Sequence, residues 1–565
     1  MKILLTAVNA KYIHSNLAVY SLRAYAKEYA SDIEIAEYTI NQTKEEILKN
    51  IYMQQPDVLC FSCYIWNISI IEQIAAEFHK LCPKVPIWMG GPEVSYETEA
   101  FLNAHPYVTG VIVGEGEKSF AGLCRAYEQG NADEEGLAGQ RGLVFRSGKD
   151  GRLHRTLPQE ALDMSQIPFV YSDMSDFEHK IIYYESSRGC PFCCSYCLSS
   201  VDKKLRFRSM DLVRKELAFF IEKEVPQVKF VDRTFNCDSR RAMEIWSFLK
   251  EHDKGKTNFH FEIAADLITE EELALLATLR PGLIQLEIGV QTTNPATIEE
   301  IHRHMDLAKV KQVVRQIKKG RNIHQHLDLI AGLPLEDYPT FRQSFDEIYE
   351  LKPDQLQLGF LKVLKGSYMY EHREEYQVIA TAYPPYEVLA TKWLCYDEVL
   401  SIKLVEQMLE IYYNSGQYMR SILLLEESFE SAFDMFLALG EYYEKKGYAS
   451  MNHTRNRRME ILLEFVAEQS GSTAEYSERM REAAVYDIYA RENAKSRPAF
   501  ADDMQEWKQV MREYCKKGKL SHLERFYYEP SGERQEEPYY ILFDYEQRDL
   551  IDHQAKTVRI KEKQE

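Results

Sequence analysis

The first 130 residues alternate between short apolar runs and amphipathic segments of helical length. The apolar runs indicate buried strands, and the segments between them repeat apolar residues three and four positions apart, as a helix with one buried face does. Repeated strand–helix units predict a doubly wound, flavodoxin-like parallel sheet. The predicted strands are residues 3–7, 33–38, 58–62, 87–89 and 111–113, and the predicted helices include 17–29 and 68–81.

This alternation stops after residue 130 and resumes near residue 180. Two short apolar runs at 143–146 and 152–154 flank a Gly-containing turn, which predicts an exposed hairpin followed by a polar linker. The second strand–helix series predicts a (βα)6 partial TIM barrel, with active-site residues at the carboxyl ends of its strands. Its predicted strands are 181–185, 228–231, 259–264, 284–290, 326–331 and 355–361, and its helices include 211–222, 241–249 and 341–351.

From about residue 385 the pattern changes to long helices rich in Leu, Tyr and Glu, and the C-terminal end predicts a short β element. Its tyrosines, among them Tyr412, Tyr413, Tyr442 and Tyr443, fit core packing as well as stacking on a flat substrate. The predicted domains are the doubly wound domain at 1–130, the hairpin and linker at 131–178, the partial barrel at 179–365 and a mostly helical domain at 366–565.

Composition narrows the class of protein. The chain has 565 residues, of which 45% are hydrophobic and 28% charged, with a formal net charge of −19. Nucleic-acid affinity rests largely on Lys and Arg that neutralise phosphates, so this charge argues against a nucleic-acid partner. No apolar run approaches the roughly 18 residues that a membrane span needs. We expect a cytoplasmic protein without membrane association, whose 11 cysteines serve metal or redox chemistry.

The sharpest motif is a cysteine loop directly after the first predicted barrel strand. Cys190, Cys194 and Cys197 have the spacing C-x3-C-x2-C, and Tyr196 precedes the last cysteine. Three thiolates on one tight loop can hold three irons of a [4Fe-4S] cluster and leave the fourth iron open. A zinc site of four cysteines normally needs two separated pairs, whereas the pairs formed with Cys193 abut. The sequence therefore predicts an iron–sulfur cluster and assigns no metal to Cys193.

The loop at 187–197 (SRGCPFCCSYC) resembles the radical S-adenosylmethionine (SAM) superfamily, in which the open iron binds SAM and SAM cleavage releases a 5′-deoxyadenosyl radical. The resemblance extends to 232–236, 286–292 and 328–334, where the family binds the methionine, ribose and adenine parts of SAM. Arg206 is a further candidate for the SAM carboxylate or the cluster. The alternative for each residue is core packing or a surface pair. The residues that the resemblance implies for SAM are Tyr196, Arg208, Asp232, Glu287, Gln291, Ile330 and Gly332.

The first domain resembles the cobalamin-binding domain that precedes the barrel in one branch of this superfamily. The resemblance rests on the strand–helix order and on the turns at 90–93 and 114–117, where glycine lets the backbone approach a flat macrocycle and a helix start offers free N–H groups. The loops 9–16 and 62–67 are expected at the same sheet edge. The residues implied for cobalamin are Asn9, Ser62, Gly90, Gly91, Gly114, Glu115 and Gly116.

The sequence departs from the cobalamin-binding domain pattern in one respect, the residue that would ligate the lower face of the cobalt. The D-x-H-x-x-G signature, whose His ligates cobalt, is absent. His14 lies in a suitable loop but lacks that spacing, so the lower ligand stays unassigned. The alternative is a domain that has lost its cofactor and serves as a docking module.

The resemblance covers residues 1–365 and implies an enzyme with a [4Fe-4S] cluster, SAM and cobalamin. The leading hypothesis is C-methylation of an unknown organic substrate, in which the radical removes a hydrogen atom and cobalamin delivers a methyl group restored by a second SAM. A reductant such as flavodoxin or ferredoxin is the implied partner. A non-methylating cyclisation, oxidation or rearrangement with the same cofactors is the alternative. A non-catalytic iron–sulfur or zinc protein is the third hypothesis.

Overall fold

The structure is a computed structural model that describes residues 1–469, 473–515 and 520–560. It divides into two compact units. The first unit comprises Met1–Thr278, Ala296–Met305 and Phe360–Lys392, and the second comprises Leu279–Pro295, Asp306–Gly359 and Trp393–Glu565. Within the described residues, no helix is both long enough and apolar enough to cross a membrane.

The N-terminal part of the first unit is a sheet in the order β2-β1-β3-β4-β5-β6-β7, with β1 to β5 parallel. Every residue of β1 is buried, as expected for a parallel strand that is covered on both faces. The order 2-1-3-4-5 is that of flavodoxin-like folds, so the predicted doubly wound class is confirmed. The elements are β1 Ile3–Asn9, α1 Leu17–Tyr25, β2 Ile33–Thr39, α2 Lys44–Gln54, β3 Val58–Ser62, α3 Ile68–Leu81, β4 Ile87–Gly90, α4 Pro92–Ser95, α5 Thr98–Ala104, β5 Gly110–Ile112, α6 Gly116–Glu128, α7 Glu134–Ala138, β6 Leu143–Arg146 and β7 Leu153–Arg155.

Two local expectations in this region are wrong. The predicted hairpin forms, since β6 pairs antiparallel with β7, but it is not exposed: β6 also pairs antiparallel with β5, and Leu143, Val144 and Phe145 are buried. Three consecutive apolar residues are the pattern of a strand covered on both faces. The helix predicted to reach residue 29 ends at Tyr25 and is followed by a 3-10 turn.

The second strand–helix series occurs where the alternation predicts it. In the first unit, β11 pairs parallel with both β8 and β12, and the short strands β9 and β10 form an antiparallel ribbon. In the second unit, β13 pairs parallel with β14. The elements are β8 Ile182–Tyr184, β9 Ser187–Arg188, β10 Arg206–Phe207, α8 Met210–Glu222, β11 Gln227–Phe230, α9 Ser239–His252, β12 Asn258–Ile263, α10 Glu270–Leu276, β13 Ile284–Gln291, α11 Pro295–Glu300, α12 Leu307–Gly320, β14 His324–Ala331, α13 Tyr338–Tyr349 and β15 Gln355–Phe360.

The C-terminal region is mostly helical and ends in an antiparallel sheet of β18, β19 and β20, as predicted. The last five positions of that predicted β element, 561–565, lie outside the described residues. The elements are α14 Tyr368–Glu371, β16 Ile379–Ala380, β17 Val388–Ala390, α15 Tyr396–Met408, a π-helical turn at Leu409–Asn414, α16 Met419–Glu426, α17 Ala432–Lys445, α18 Arg455–Glu468, α19 Ala474–Arg491, α20 Lys508–Tyr514, β18 Ser521–Tyr528, β19 Arg534–Arg548 and β20 Ala555–Ile560.

The tyrosines of this region belong to its core. Tyr412 and Tyr413 are 0% and 1% exposed, and Tyr443 is 2% exposed. The hydroxyls of Tyr412 and Tyr443 lie 2.6 Å apart, and the Tyr412 hydroxyl also donates to the Arg458 carbonyl. Of the two alternatives that the sequence left open, core packing is therefore the observed one for these three rings.

Candidate cofactor site

The cysteine loop follows β8 and the first strand of the β9–β10 ribbon. Cys190 and Cys194 are buried, and Cys197 is partly buried. Burial raises the pKa of the Cys194 thiol, the Arg303 guanidinium opposes this, and the thiolates of Cys197 and Cys190 raise it again. The three thiols therefore share one electrostatic environment, as ligands of one metal group would. Cys193 is exposed, with its Sγ 4.0 Å from the His302 carbonyl oxygen.

A glycine closes the base of this loop. Gly189 has φ +94°, and a Cβ there would lie 2.6 Å from the Lys204 carbonyl oxygen. The Cys190 amide donates to the Asp202 carbonyl at 3.1 Å, so the chain before the first cysteine is held against 202–204. Only glycine combines this φ with this close approach.

Arg303 was not among the expected site residues. Its Nη1 lies 3.8 Å from the Cys194 Sγ and 3.4 Å from the Tyr196 hydroxyl, which the resemblance assigned to SAM. Arg303 is 109 positions from Cys194, and no local pattern in the sequence connects the two.

Asp232 is bound by neighbouring protein groups. Its carboxylate accepts hydrogen bonds from the Ser186 amide, the Ser186 hydroxyl and the Ser187 hydroxyl at 2.6–2.8 Å. Burial raises its pKa to about 6, although these hydrogen bonds oppose the shift. Both oxygens thus serve the chain between β8 and the cysteine loop. Asp232 thus positions that loop, and its assignment to the SAM amino group stays a prediction.

Arg208 is likewise bound by protein groups, and its assignment to SAM stays a prediction. Its guanidinium makes a two-pronged ion pair with Glu216 on α8, at 2.8 and 2.5 Å. It also donates to the carbonyls of Met164 and Ile167. Arg208 thus belongs to a buried structural cluster, which the sequence could not show because Met164 and Ile167 lie 44 and 41 positions away. Arg206, the neighbouring candidate, is bound to Glu115 and Asp202.

The remaining residues expected at SAM lie in the second unit. Gln291 ends β13 with φ +74°, and within the described residues its buried Oε1 has no hydrogen-bond partner. Gly332 is buried with φ +89°, and Ile330 is half-buried on β14. Glu287 lies opposite His326 in the β13–β14 register, and ligand atoms of these two residues and Asp328 lie within 4.8 Å of one another. An orphaned amide oxygen and a positive-φ glycine fit a polar ligand at the strand ends.

A cavity of about 780 Å³ lies in the first unit at the carboxyl edge of the N-terminal sheet. One wall of the cavity is formed by the sheet edge, and the other includes Glu185, Ser187, Arg188 and Gly189, which lie just before Cys190 in the chain. The cavity thus joins the loops expected at cobalamin to the base of the cysteine loop. All residues expected at cobalamin line it: Asn9, Ser62, Gly90, Gly91, Gly114, Glu115 and Gly116.

Hydrogen bonds fix the loops on the sheet side. Asn9 Nδ2 donates to Glu37 Oε1 at 2.9 Å and to the His14 carbonyl at 3.1 Å, and Asn16 Nδ2 donates to the Ser62 hydroxyl at 3.1 Å. Gly91 has φ +116°, and a Cβ there would lie 2.4 Å from the Cys63 carbonyl oxygen. The close approach of this turn to Cys63 is therefore possible only with glycine, and its contact with a ligand stays a prediction.

His14, Tyr64 and Trp66 also line the cavity. His14 Nδ1 is 2.6 Å from the Tyr183 hydroxyl, and burial lowers the His14 pKa. The Tyr64 and Trp66 rings are stacked, with centroids 4.5 Å apart. Arg233, which belongs to the motif at 232–236, lines the same cavity. Among the described residues, its guanidinium has no hydrogen-bond or ion-pair partner.

Comparison with known families agrees with this geometry. Residues 3–124 match the family model "B12 binding domain", and residues 184–348 match "Radical SAM superfamily". The chain carries a B12-binding domain followed by a radical SAM domain. These domains confirm the predicted cofactors, a [4Fe-4S] cluster, SAM and cobalamin, at the level of the two domain families. Residues 374–563 match a "Protein of unknown function (DUF4080)" family.

Two proteins named as radical SAM methyltransferases are similar to this chain. The cobalamin-dependent radical SAM methyltransferase TokK of Streptomyces tokunonensis is 26% identical over 314 residues, which are 52% of this chain and 45% of TokK. The chain thus spans about half the length of this curated relative. The radical SAM methyltransferase TsrM from Kitasatospora setae, solved with cobalamin and a [4Fe-4S] cluster, is similar with a TM-score of 0.53 and 18% identity, over 68% of this chain and 76% of TsrM.

The fold is also similar to that of OxsB, a cobalamin-dependent SAM radical enzyme. Its structure matches with a TM-score of 0.56 and 15% identity, over 85% of this chain and 75% of OxsB. At this identity the likeness shows the fold, and the predicted order of doubly wound domain, partial barrel and helical region is confirmed.

The residues present fit these cofactors. Three clustered thiols are the donor set of a [4Fe-4S] cluster with one open iron. The glycine-lined cavity at the sheet edge offers backbone to a macrocycle, and the orphaned Gln291 oxygen offers an acceptor to SAM. Aromatic and apolar side chains such as Phe61, Trp88 and Met89 line the cavity and limit water in it.

Proposed function

We propose that this enzyme C-methylates an organic substrate by cobalamin-dependent radical SAM chemistry. One observation carries the proposal: a single cavity is lined by the turns of the cobalamin-binding domain and by the residues that precede Cys190. When bound, the cluster and SAM supply a 5′-deoxyadenosyl radical, and cobalamin supplies a transferable methyl group.

The contribution of the chain is to hold the reacting groups and exclude water. Cys190, Cys194 and Cys197 would hold the cluster, with Tyr196 and Arg303 beside Cys194. Gln291, Ile330, Gly332 and Glu287 would hold SAM. Asp232 holds the backbone that leads into the cysteine loop through Ser186 and Ser187.

On the other side, Gly90, Gly91, Gly114 and Gly116 would present backbone to cobalamin, with Asn9 and Ser62 in the adjoining loops. The Glu115 side chain is held by Arg206, so Glu115 contributes its backbone and its position, not a free carboxylate. The proposed partners are an organic substrate and a low-potential reductant of the flavodoxin or ferredoxin type.

The products formed from SAM test this function. The reconstituted enzyme is incubated anaerobically with reductant, SAM labelled with a CD3 methyl group, and a small-molecule extract of the source cells. Methylation gives S-adenosylhomocysteine and 5′-deoxyadenosine in equal amounts, and the CD3 group appears in a new product. If 5′-deoxyadenosine forms without S-adenosylhomocysteine, the reaction is the non-methylating alternative. If neither forms, the chain is not a radical enzyme under these conditions, and the third hypothesis replaces the proposal.

A further inference from the structure

The turn at 114–117 and the base of the cysteine loop are joined by a cluster of charged side chains. We define the arginine clasp as Glu115, Glu117, Arg188 and Arg206. Glu115 is the N-cap of α6 and Glu117 lies in its first turn. Arg188 on β9 and Arg206 on β10 are directly opposite each other in the ribbon.

Ion pairs run from each arginine to this helix start. Arg188 Nη2 lies 2.9 Å from Glu117 Oε1, and Arg188 Nη1 lies 3.6 Å from Glu115 Oε2. Arg206 pairs with Glu115 as well, and Arg188 is also bound to Glu185 at 2.7 Å. Two arginines opposite each other in a ribbon repel, so the Glu115 carboxylate between them offsets that repulsion.

The clasp is too buried to be an ordinary surface pairing. The side chains of Glu117, Arg206 and Arg188 are 6%, 14% and 19% exposed. Burial raises the pKa of Glu115, but the hydrogen bonds from Arg206 and the Leu162 amide, with the charge of Arg188, hold it below its ordinary value. Moving one of these side chains away from its partners would leave a buried charge unpaired, which is strongly destabilising. The clasp therefore resists distortion.

The clasp touches both cofactor loops. Arg188 stands two positions before Cys190, and only Gly189, in its constrained conformation, separates them. Glu115, Gly116 and Glu117 line the cavity assigned to cobalamin, together with Arg188 itself. A displacement of the cysteine loop therefore displaces the partner of the Gly114–Glu117 turn.

We infer that the arginine clasp couples the two cofactor sites, so that a loaded cluster tightens the binding of cobalamin. The inference rests on the cofactors of the proposed function. When Cys190 binds the cluster, the position of Arg188 is restricted as well, because only Gly189 separates the two residues. Arg188 then holds Glu115 and Glu117 at the turn that is expected to contact cobalamin. Because coupling between two sites is reciprocal, bound cobalamin also stabilises the cluster against loss.

The test is the affinity of the full-length chain for hydroxocobalamin, measured anaerobically by equilibrium dialysis with and without the reconstituted cluster. We expect binding about tenfold tighter with the cluster, within the usual range of coupling between two sites. The double variant Arg188→Gln/Glu117→Gln removes both charges and keeps hydrogen-bonding groups, and it should reduce the ratio of the two dissociation constants to about one. The matched control is Arg214→Gln/Glu244→Gln, an exposed ion pair between α8 and α9, which should leave the ratio unchanged.

If the clasp only stabilises the fold, the double variant should have a lower melting temperature and a lower iron content, while the ratio of the two dissociation constants stays unchanged. If the double variant does not incorporate iron, Arg188→Lys, which keeps the charge but loses the fork, is measured and should give an intermediate ratio. A ratio of one in the unmodified chain, or a ratio that survives in the clasp variants, would overturn the inference while leaving the proposed function in place. Absence of cobalamin binding in both forms would overturn both.

Discussion

The surroundings of the cavity and the helical region after residue 393 bury polar side chains for different reasons. Around the cavity, buried or half-buried polar groups such as Asn9, Ser62 and Arg188 are grouped at loop ends, beside glycines whose conformation no other residue adopts easily. In the helical region, buried tyrosine hydroxyls bind carbonyls of their own unit, as Tyr413 does with Pro353 and Tyr545 with Tyr489. The first arrangement leaves a space for ligands, whereas the second closes a core.

The largest expected effect is on the cluster. Cys194→Ala should abolish iron–sulfur absorbance and all 5′-deoxyadenosine formation, because three thiolates are the fewest that hold a [4Fe-4S] cluster with one open iron. The matched control is Cys193→Ala, whose exposed thiol contacts only the His302 carbonyl among the described residues. It should keep the iron and the activity. Equal losses in both variants would contradict the assignment of Cys193.

The next effect concerns the glycine turns. Gly91→Ala should reduce the cobalamin content of the purified protein at least tenfold, because the new Cβ would meet the Cys63 carbonyl oxygen at 2.4 Å. Gly130→Ala is the control, since Gly130 also has a positive φ (+66°), no atom lies within 4 Å of a Cβ there, and Gly130 does not line the cavity. It should cost only the strain of a left-handed residue, about 1–2 kcal/mol in the free energy of unfolding. Cobalamin is measured by absorbance after extraction, and unfolding by denaturant titration. If both variants bind cobalamin equally, Gly91 does not form the ligand wall.

The helical region should respond in stability and not in cofactor content. Tyr412→Ala should lower the free energy of unfolding by about 3–5 kcal/mol, as other large-to-small changes of buried aromatic residues do. Tyr412→Phe should cost about 1 kcal/mol, the net value of its hydrogen bonds to Tyr443 and Arg458. Iron and cobalt per folded chain should stay unchanged in both. A selective loss of one cofactor would show that this ring serves the site.

The smallest effect is a pH dependence inside the same region. Burial raises the pKa of Asp487 to about 6, against hydrogen bonds from Ser421 and Arg420. Between pH 4 and 6 the folded protein keeps a proton there that the unfolded chain releases, so this group makes stability fall as pH rises through that window. Asp487→Asn cannot titrate, and its deficit in unfolding free energy relative to the unmodified chain should shrink by up to about 3 kcal/mol from pH 4 to pH 7. A deficit that stays constant or grows would contradict the raised pKa.

The sequence predicted what local patterns encode. The strands and helices of the N-terminal sheet follow from apolar periodicity, and the residues expected at cobalamin line one cavity because the carboxyl ends of parallel strands share an edge. The π-helical turn at Leu409–Asn414 and the pairing of β6 with β5 were not predicted, because both depend on tertiary packing that periodicity does not report.

The site residues divide in the same way. The three cysteines could be recognised in the sequence because their spacing alone places three thiols on one loop, as a [4Fe-4S] cluster with one open iron requires. Asp232 and Arg208 were expected at SAM because of their charges. Whether such a side chain is available to a ligand depends on its protein partners, here Ser186 for Asp232 and Glu216 for Arg208, which lie 46 and 8 positions away. Arg303 was missed for the same reason, since only the folded chain brings it to Cys194.

One measurement bears directly on the two-cofactor enzyme: the iron, cobalt and zinc content of the anaerobically purified chain after reconstitution with iron, sulfide and hydroxocobalamin. We expect about four irons and about one cobalt per chain, with the iron lost and the cobalamin retained, at lower affinity, when Cys190, Cys194 and Cys197 are all replaced by Ala. Iron without cobalt would leave a radical enzyme but exclude the proposed methyl transfer. About one zinc per chain and no iron would contradict the enzyme itself.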